Sequence, residues 1–281
     1  MRIGSLLDTV ERMNNRFLNA YDAYLIDIDG VLVREHEPIP GSSTALQRLT
    51  ESGRVVLLTN NSTRSRKQHA ARLADAGLHI QAECILPTSY LAAQYLLARL
   101  GPVPTWVLGE KGLREEIADA GHRLADRPEE AKALVVGMDR QFDYARLTAA
   151  YRAIAGGAKF IATNEDATYP VPEGFHPGAG AMVGALRGMG FAPDVVIGKP
   201  SPIPYRAALA KLGIEPSRAV MIGDRLETDI LGAQDNGIAT ALVLSGVSAS
   251  KDVESLGMRP TWIAVNLAAL VRGEGIGPAI P

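Results

Sequence analysis

The feature that most constrains this chain is an apolar stretch that ends in two carboxylates. Residues 24–32 read Tyr-Leu-Ile-Asp-Ile-Asp-Gly-Val-Leu, and the apolar part is typical of a buried strand. Side chains two positions apart in a strand lie on the same side, so Asp27 and Asp29 should leave the strand end together. Two nearby carboxylates repel each other unless a cation or a shared proton offsets the repulsion. The pair therefore indicates a divalent metal site, a proton-transfer site or both, and the competing interpretation is a solvated Asp-Gly turn.

The rest of the chain alternates short apolar runs with helical periods. This alternation is typical of a parallel sheet covered by helices on both faces, so we predict a doubly wound α/β fold. Two stretches rich in Pro and Gly, 101–104 and 190–194, interrupt the alternation, and a second α/β pattern lies between them. We therefore predict a core formed by residues 1–100 and 195–281, with residues 101–194 as an inserted α/β domain. A further helix is predicted over residues 5–18.

Three more predicted strand ends carry polar side chains. They are Thr59, Asn60 and Asn61 after the strand at 54–58, Lys199 after the strand that begins at Val195, and Asp224 and Asp229 after the strand at 219–222. Each set has an ordinary structural interpretation, namely a helix N-cap, a solvated charge, or acidic residues that favour a helix N-terminus. Ligands of open α/β sheets bind at the carboxyl ends of the strands, so we predict that all four sets meet at one sheet edge.

Composition excludes several classes of function. The formal charge of -2 gives no basic surface for nucleic acid, and no apolar stretch approaches the roughly 20 residues that span a membrane. Asp8, Glu11 and Arg12 interrupt any secretory signal at the N-terminus. The single cysteine, Cys84, cannot form an internal disulfide and suits a reducing cytoplasm. We therefore predict a cytoplasmic protein that binds neither nucleic acid nor membrane. A nucleotide-dependent dehydrogenase is disfavoured because the first strand lacks a GxGxxG turn.

The motifs, taken in order, resemble a known family. They are Asp27-Ile28-Asp29-Gly30-Val31, Thr59-Asn60-Asn61, Gly198-Lys199-Pro200 and Gly223-Asp224-Arg225-Leu226-Glu227-Thr228-Asp229. This order resembles the haloacid dehalogenase-like superfamily of phosphatases. The insertion is similar to the type IIA cap of its NagD-like, p-nitrophenyl phosphatase branch, in which phosphoglycolate phosphatases also fall.

The resemblance implies a role for each core residue. Asp27 would be the nucleophile that forms an aspartyl-phosphate, and Asp29 would protonate the leaving oxygen and then activate water. Mg²⁺ would be held by the side chains of Asp27 and Asp224 and by the backbone carbonyl of Asp29. The remaining assignments are Thr59, Asn60 and Lys199 as phosphate-binding residues and Asp229 as an outer-sphere carboxylate of the metal.

Substrate choice is expected to depend on the cap. Tyr169 and His176 lie in a predicted polar loop, 164–177. We predict that these two residues contact the leaving group and that they set substrate specificity together with Asn61, although a structural loop role for Tyr169 and His176 competes. The resemblance implies a small phosphorylated metabolite as substrate and a homodimer formed through the cap. Two alternatives stay open at this point, namely phosphotransfer to another hydroxyl and a non-catalytic sensor of phosphorylated metabolites.

Overall fold

The computed structural model describes residues 16–171 and 173–274. Residues 5–15 of the helix predicted over 5–18 lie outside this range, and a described helix spans Arg16–Ala20. The chain divides into two compact units, each described by itself below. The first unit comprises Met1–Leu58, Arg72–Ile80 and Tyr205–Pro281, and the second comprises Thr59–Ala71 and Gln81–Pro204.

The secondary structure alternates between strands and helices as predicted. The strands, numbered in chain order, are β1 (Ala23–Asp27), β2 (Val33–Arg34), β3 (Glu37–Pro38), β4 (Arg54–Thr59), β5 (Ile85–Pro87), β6 (Thr105–Leu108), β7 (Ala133–Val136), β8 (Lys159–Ala162), β9 (Thr168–Val171), β10 (Gly174–Pro177), β11 (Val195–Val196), β12 (Ala219–Gly223), β13 (Ala239–Val243) and β14 (Trp262–Ala264). The α-helices are Arg16–Ala20, Ser42–Ser52, Arg66–Asp75, Thr88–Leu100, Lys111–Asp119, Tyr144–Ala155, Ala179–Arg187, Pro202–Leu212, Leu231–Asp235, Ser250–Ser255 and Leu267–Arg272. A π-helical turn covers Leu226–Ile230. Among the described helices, none is long and apolar enough to cross a membrane.

The first unit contains a parallel sheet in the order β14-β13-β12-β1-β4. Strand β1 lies between β12 and β4, with Ile26 opposite Ile222 and Asp27 opposite Leu58. Every residue of β1 is buried, which explains why the strand is a continuous apolar run and does not alternate. The predicted α/β fold with a central parallel sheet is confirmed.

A short hairpin follows the first strand. Residues 33–40 have a composition typical of an irregular loop, but Val33–Arg34 and Glu37–Pro38 pair antiparallel. The turn between them places Glu35 at a φ of 55°, a left-handed conformation that residues other than glycine rarely adopt. Two-residue strands carry too little periodicity to be recognised from sequence.

The second unit contains its own parallel sheet in the order β11-β8-β7-β6. Its core includes Leu134, Phe160 and Leu186. Strand β11 pairs with β8, with Val195 opposite Ile161, so this sheet extends past residue 194, where the sequence analysis ends the insertion. The prediction that the strand before Lys199 belongs to the same sheet as β1 is therefore wrong. The division into a catalytic core and a cap stays a prediction.

The predicted polar loop at 164–177 contains a second hairpin. Strands β9 and β10 pair antiparallel, with His176 directly opposite Tyr169. Prolines disfavour a central strand but are tolerated where one edge of a strand is unpaired. A two-stranded hairpin has such an edge on both strands, and this explains why a stretch with Pro170 and Pro177 can pair.

Candidate active site

Three buried carboxylates meet at the carboxyl ends of two neighbouring parallel strands. Asp27 is the last residue of β1, Asp224 follows β12, and Asp229 lies in the π-helical turn. One oxygen of each lies within 4.8 Å of the others, and their exposed fractions are only 7%, 1% and 1%. The structure thus brings together three residues that the sequence analysis placed at one sheet edge.

The donor set of this cluster fits a hard divalent cation. Mg²⁺ and Ca²⁺ prefer carboxylate and carbonyl oxygens, and these carboxylates supply such oxygens at close range. Three buried carboxylates also repel one another unless bound charge or protons offset the repulsion. The arrangement is therefore suited to holding a metal ion.

Asp229 contacts the backbone of the same turn. Its Oδ2 accepts hydrogen bonds from the backbone N–H groups of Asp224 at 3.2 Å and Arg225 at 3.1 Å. These bonds hold the main chain that carries Asp224. The geometry suits a carboxylate that orients another ligand.

A loop that the sequence analysis missed also holds Asp224. The backbone N–H of Val247 donates to Asp224 Oδ2 at 2.7 Å, and that of Ser248 donates to the Asp224 carbonyl at 3.0 Å. The Ser245 hydroxyl donates to the Gly30 carbonyl at 2.7 Å. These residues follow β13, so a fifth polar strand end in the sequence, Ser-Gly-Val-Ser, would have indicated them.

Glycine is required at two positions around Asp224. A side chain at Gly30 would clash with the Asp224 carboxylate, and its φ of 89° is also unfavourable for other residues. A Cβ at Gly246 would overlap Asp224 Oδ2 as well. Both positions therefore allow the backbone to approach a buried carboxylate closely.

Gly246→Ala is expected to destabilise the protein by about 1–3 kcal/mol, because the new methyl group overpacks a closely packed site. It should also weaken binding of a divalent cation such as Mg²⁺ to the carboxylate cluster, because Asp224 must move. Thermal unfolding and Mg²⁺ titration measure the two effects. Gly184→Ala is the control, since a Cβ there meets nothing within 4 Å. Equal unfolding temperatures and Mg²⁺ requirements in both variants would contradict this account.

Asp29 has a different environment from the buried cluster. Its side chain is 41% exposed, and its Oδ1 accepts a hydrogen bond from Arg72 Nη2 at 2.9 Å. This carboxylate is therefore accessible from solvent. Sequence reasoning missed Arg72 because it lies in the middle of a helical pattern, 43 residues from Asp29.

The segment Thr59–Thr63, which contains the predicted phosphate-binding residues Thr59 and Asn60, forms a turn held by its own side chains. Thr59 Oγ1 accepts from the Asn61 N–H at 3.1 Å. Asn61 Oδ1 in turn accepts from the Thr63 N–H at 3.0 Å and from the Thr63 hydroxyl at 2.7 Å. Such local bonds fix the backbone in a turn.

The side chain of Asn60 holds the backbone of Lys199. Asn60 Oδ1 accepts from the Lys199 N–H at 2.9 Å, and Nδ2 donates to the Lys199 carbonyl at 3.0 Å. Nδ2 also donates to Asp166 Oδ2 at 3.1 Å. Lys199 itself is buried, with 5% exposed, and the peptide bond to Pro200 is cis. The amide of Asn60 thus positions the lysine, which the sequence could not indicate across 139 residues.

Tyr169 and His176 lie side by side on the hairpin β9–β10. Their rings stand edge to face with centroids 5.8 Å apart, and the Tyr169 hydroxyl lies 3.5 Å from His176 Nδ1. Phe175 beside them is 65% exposed. The hairpin therefore presents aromatic groups, which suits contact with a ligand.

Arg140 and Glu110 form an ion pair in the same unit as this hairpin. Arg140 Nε and Nη2 donate to the two oxygens of Glu110 at 2.7 and 2.6 Å. Burial raises the pKa of Glu110, but the hydrogen bonds and charge of Arg140 outweigh burial and leave the pKa below its usual value. The pKa of Arg140 is raised by the hydrogen bond to Glu110 against partial burial, and the negative charge of Glu110 adds to the rise. The charge of Arg140 is therefore offset by a fixed carboxylate.

Comparison with known proteins defines the class to which this fold and carboxylate cluster belong. The family model described as haloacid dehalogenase-like hydrolase matches residues 24–123, and a second model described as HAD-hydrolase-like matches residues 196–270. Together with the relatives below, these matches show that the chain belongs to the haloacid dehalogenase-like hydrolase family.

Within that family the chain is a phosphatase. It is 36% identical over 249 residues to dihydroxyacetone phosphatase of Corynebacterium glutamicum, covering 88% of this chain and 90% of the relative. The solved p-nitrophenyl phosphatase from Archaeoglobus fulgidus is 35% identical with a TM-score of 0.85, over 89% of this chain and 98% of that one. Glycerol phosphate phosphatase Rv1692 from Mycobacterium tuberculosis, solved with magnesium, is 34% identical with a TM-score of 0.83, over 90% and 77%. The family and branch predicted from the motifs are confirmed.

Proposed function

We propose that this chain is a Mg²⁺-dependent phosphatase that hydrolyses small soluble phosphate monoesters through an aspartyl-phosphate on Asp27. The observation that carries the proposal is the buried cluster of Asp27, Asp224 and Asp229, whose oxygens lie within 4.8 Å of one another. The relative solved with magnesium supports the choice of metal. A sensor or a phosphotransferase is supported by no observation on the described residues.

The proposed reaction uses two carboxylates in sequence. A carboxylate oxygen of Asp27 attacks phosphorus, the ester P–O bond breaks, and Asp29 gives its proton to the leaving oxygen. Asp29 then takes a proton from a water molecule that attacks the same phosphorus, and the bond between Asp27 and phosphorus breaks. The products are the alcohol, inorganic phosphate and the original carboxylate.

Further residues would stabilise the negative charge of the phosphoryl group during these steps. The side chains of Asp27 and Asp224 and the carbonyl of Asp29 would hold Mg²⁺, which would supply positive charge to offset repulsion between the nucleophile and the phosphate. Thr59 and Lys199 are proposed to bind the phosphoryl oxygens, Asn60 to position Lys199, and Asp229 to hold the backbone of Asp224.

The substrate is proposed to be a small phosphorylated metabolite. Dihydroxyacetone phosphatase and glycerol phosphate phosphatase are among the relatives, so three-carbon phosphates belong first in a substrate panel. Phosphoglycolate, sugar phosphates, pyridoxal phosphate and nucleoside monophosphates complete the panel.

Phosphate release with Mg²⁺ and with chelator tests the proposal. Absence of phosphate release from every member of the panel would overturn it, and less phosphate than alcohol released would indicate transfer to another hydroxyl. We also propose that the protein is cytoplasmic and that it forms a homodimer through the cap.

Asp29→Asn is expected to reduce activity more on an alkyl phosphate than on p-nitrophenyl phosphate. A nitrophenolate leaves with little protonation, whereas an alkoxide needs the proton of Asp29. The measurement is kcat/KM on both substrates, and we expect the two losses to differ by about tenfold or more. Glu37→Gln, on the exposed hairpin strand β3, is the control. Equal losses on both substrates would contradict the general-acid role in the first step.

Tyr169→Ala and His176→Ala are each expected to shift relative kcat/KM among substrates by about tenfold, roughly 1.4 kcal/mol. Neither substitution changes a residue of the proposed phosphate and metal site, so the aspartyl-phosphate mimic formed with beryllium fluoride should still bind. Tyr144→Ala is the control, since Tyr144 is 84% exposed on another element of the same unit. An unchanged substrate ranking would show that the hairpin does not select substrates. Joint loss of the mimic and of all activity would contradict the separation of chemistry and selectivity.

A further inference from the structure

Arg72 connects the Asp29 side chain to the hairpin β2–β3. Its Nη2 donates to Asp29 Oδ1 at 2.9 Å and also to the backbone carbonyl of Glu35. Glu35 lies at the hairpin turn with a φ of 55°, and Val33 in the same hairpin accepts a hydrogen bond from the Gly30 N–H at 2.8 Å. One guanidinium nitrogen thus bonds to both the carboxylate and the turn beside it.

This ion pair differs from an ordinary surface pair. The side chain of Arg72 is only 11% exposed. Within the described part of the chain, its buried Nε and Nη1 have no hydrogen-bond partner. Burying a cation whose N–H groups are incompletely paired is unfavourable, and an ion pair with a carboxylate that is 41% exposed contributes little stability in return. Stability alone therefore gives a poor explanation for an arginine at this position.

The two oxygens of Asp29 have different surroundings. Oδ1 is bound by Arg72, while none of the hydrogen bonds among residues 16–171 and 173–274 involves Oδ2, and the side chain is 41% exposed. A carboxylate held by one oxygen keeps a limited set of orientations and presents the other oxygen to solvent or substrate. General acid–base catalysis requires such a fixed approach to the atom that takes or gives the proton.

We propose that Arg72 is a positioning residue for the proton transfer. It holds Asp29 by Oδ1 so that Oδ2 faces the leaving oxygen in the first step and the attacking water in the second. The inference rests on the proposed function, because it assigns Asp29 the proton-transfer role. Arg72 acts through Asp29 and contacts no reacting atom.

A double-mutant cycle tests this role. The variants are Arg72→Gln, Asp29→Asn and the two combined, each assayed with Mg²⁺ on p-nitrophenyl phosphate and on glycerol phosphate. We expect Arg72→Gln to lower kcat on glycerol phosphate by about tenfold with little change in KM, and to lower kcat less on p-nitrophenyl phosphate. In the Asp29→Asn background the same substitution should cause no further loss, because Arg72 acts only through the carboxylate.

The control and a conservative variant separate positioning from stability. Arg54→Gln removes an arginine of the same unit that donates to the Leu212 carbonyl at 2.6 Å and should leave both activities unchanged. Arg72→Lys should recover part of the lost kcat, because an ammonium can still reach one carboxylate oxygen. Thermal unfolding is measured for every variant. If Arg72→Gln unfolds below the assay temperature, Arg72→Lys replaces it in the double-mutant cycle.

Several outcomes would overturn the inference. Losses that multiply in the double variant would show that Arg72 acts independently of Asp29. Equal losses of kcat/KM on the two substrates would show that Arg72 does not act through protonation of the leaving oxygen, and a change in KM alone would point to a role in substrate binding. Failure of the proposed function is distinguishable, since the wild-type protein would then release no phosphate from either substrate.

Discussion

Replacement of Asp27 by Asn is expected to abolish phosphate release. An amide cannot form the acyl-phosphate, so we expect kcat to fall by about 10³-fold or more, while the fold is retained. Asn has nearly the same volume and shape as Asp, so the packing around residue 27 is retained and the unfolding temperature should change little. Release of inorganic phosphate from p-nitrophenyl phosphate and thermal unfolding are the two measurements.

The matched control for this substitution is Asp75→Asn. Asp75 is the exposed last residue of the helix Arg66–Asp75, and the same chemical change there should leave kcat unaltered. Substantial activity in a pure, folded Asp27→Asn protein would reject Asp27 as the nucleophile. A large loss in both variants would instead indicate damage unrelated to the carboxylate cluster.

Removal of metal is expected to have an effect of similar size. Chelator should abolish activity and Mg²⁺ should restore it, because Asp27 and Asp224 are proposed to share one ion. Asp224→Asn should raise the Mg²⁺ concentration for half-maximal activity by at least about tenfold. Ca²⁺ should restore little activity, because its larger and looser coordination shell misplaces the nucleophile. Activity as a function of metal concentration gives all three results.

Metal binding can also be measured without turnover. A ligand that binds only the folded state at about 100 times its dissociation constant stabilises the protein by about 2.7 kcal/mol. Mg²⁺ should therefore raise the unfolding temperature of the wild-type protein and raise it less in Asp224→Asn. Asp75→Asn should respond to Mg²⁺ as the wild type does. Full activity in chelator, or an unchanged unfolding temperature with Mg²⁺, would contradict the assignment of this cluster as a metal site.

Part of the site could be predicted because it depends on residues that are close together in the sequence. The run Tyr24–Ile26 is apolar because β1 is buried on both faces, and such a strand is recognisable in one short window of sequence. Asp27 and Asp224 each lie at or just after the end of a strand. Parallel neighbours such as β1 and β12 end at the same sheet edge, so their meeting follows once the strands and their direction are known.

Other features could not be predicted because they depend on which distant segments pair. The apolar run at Val195 indicates a strand, but only the structure shows that β11 pairs with β8 rather than with the sheet that contains β1. The periodicity of a strand reports its burial and carries no information about its neighbour. The predicted end of the inserted domain at residue 194 depended on that unknown neighbour.

The sequence by itself determined the fold class, the family and the acidic residues at the strand ends, because each is written in contiguous residues. Tertiary structure decided how those residues are held. It placed Arg72 on Asp29, the Asn60 amide on the backbone of Lys199, and the Val247 N–H on Asp224. These bonds join groups 43, 139 and 23 residues apart. Polar side chains make such contacts only where folding brings their partners together, and no local pattern of residues records them.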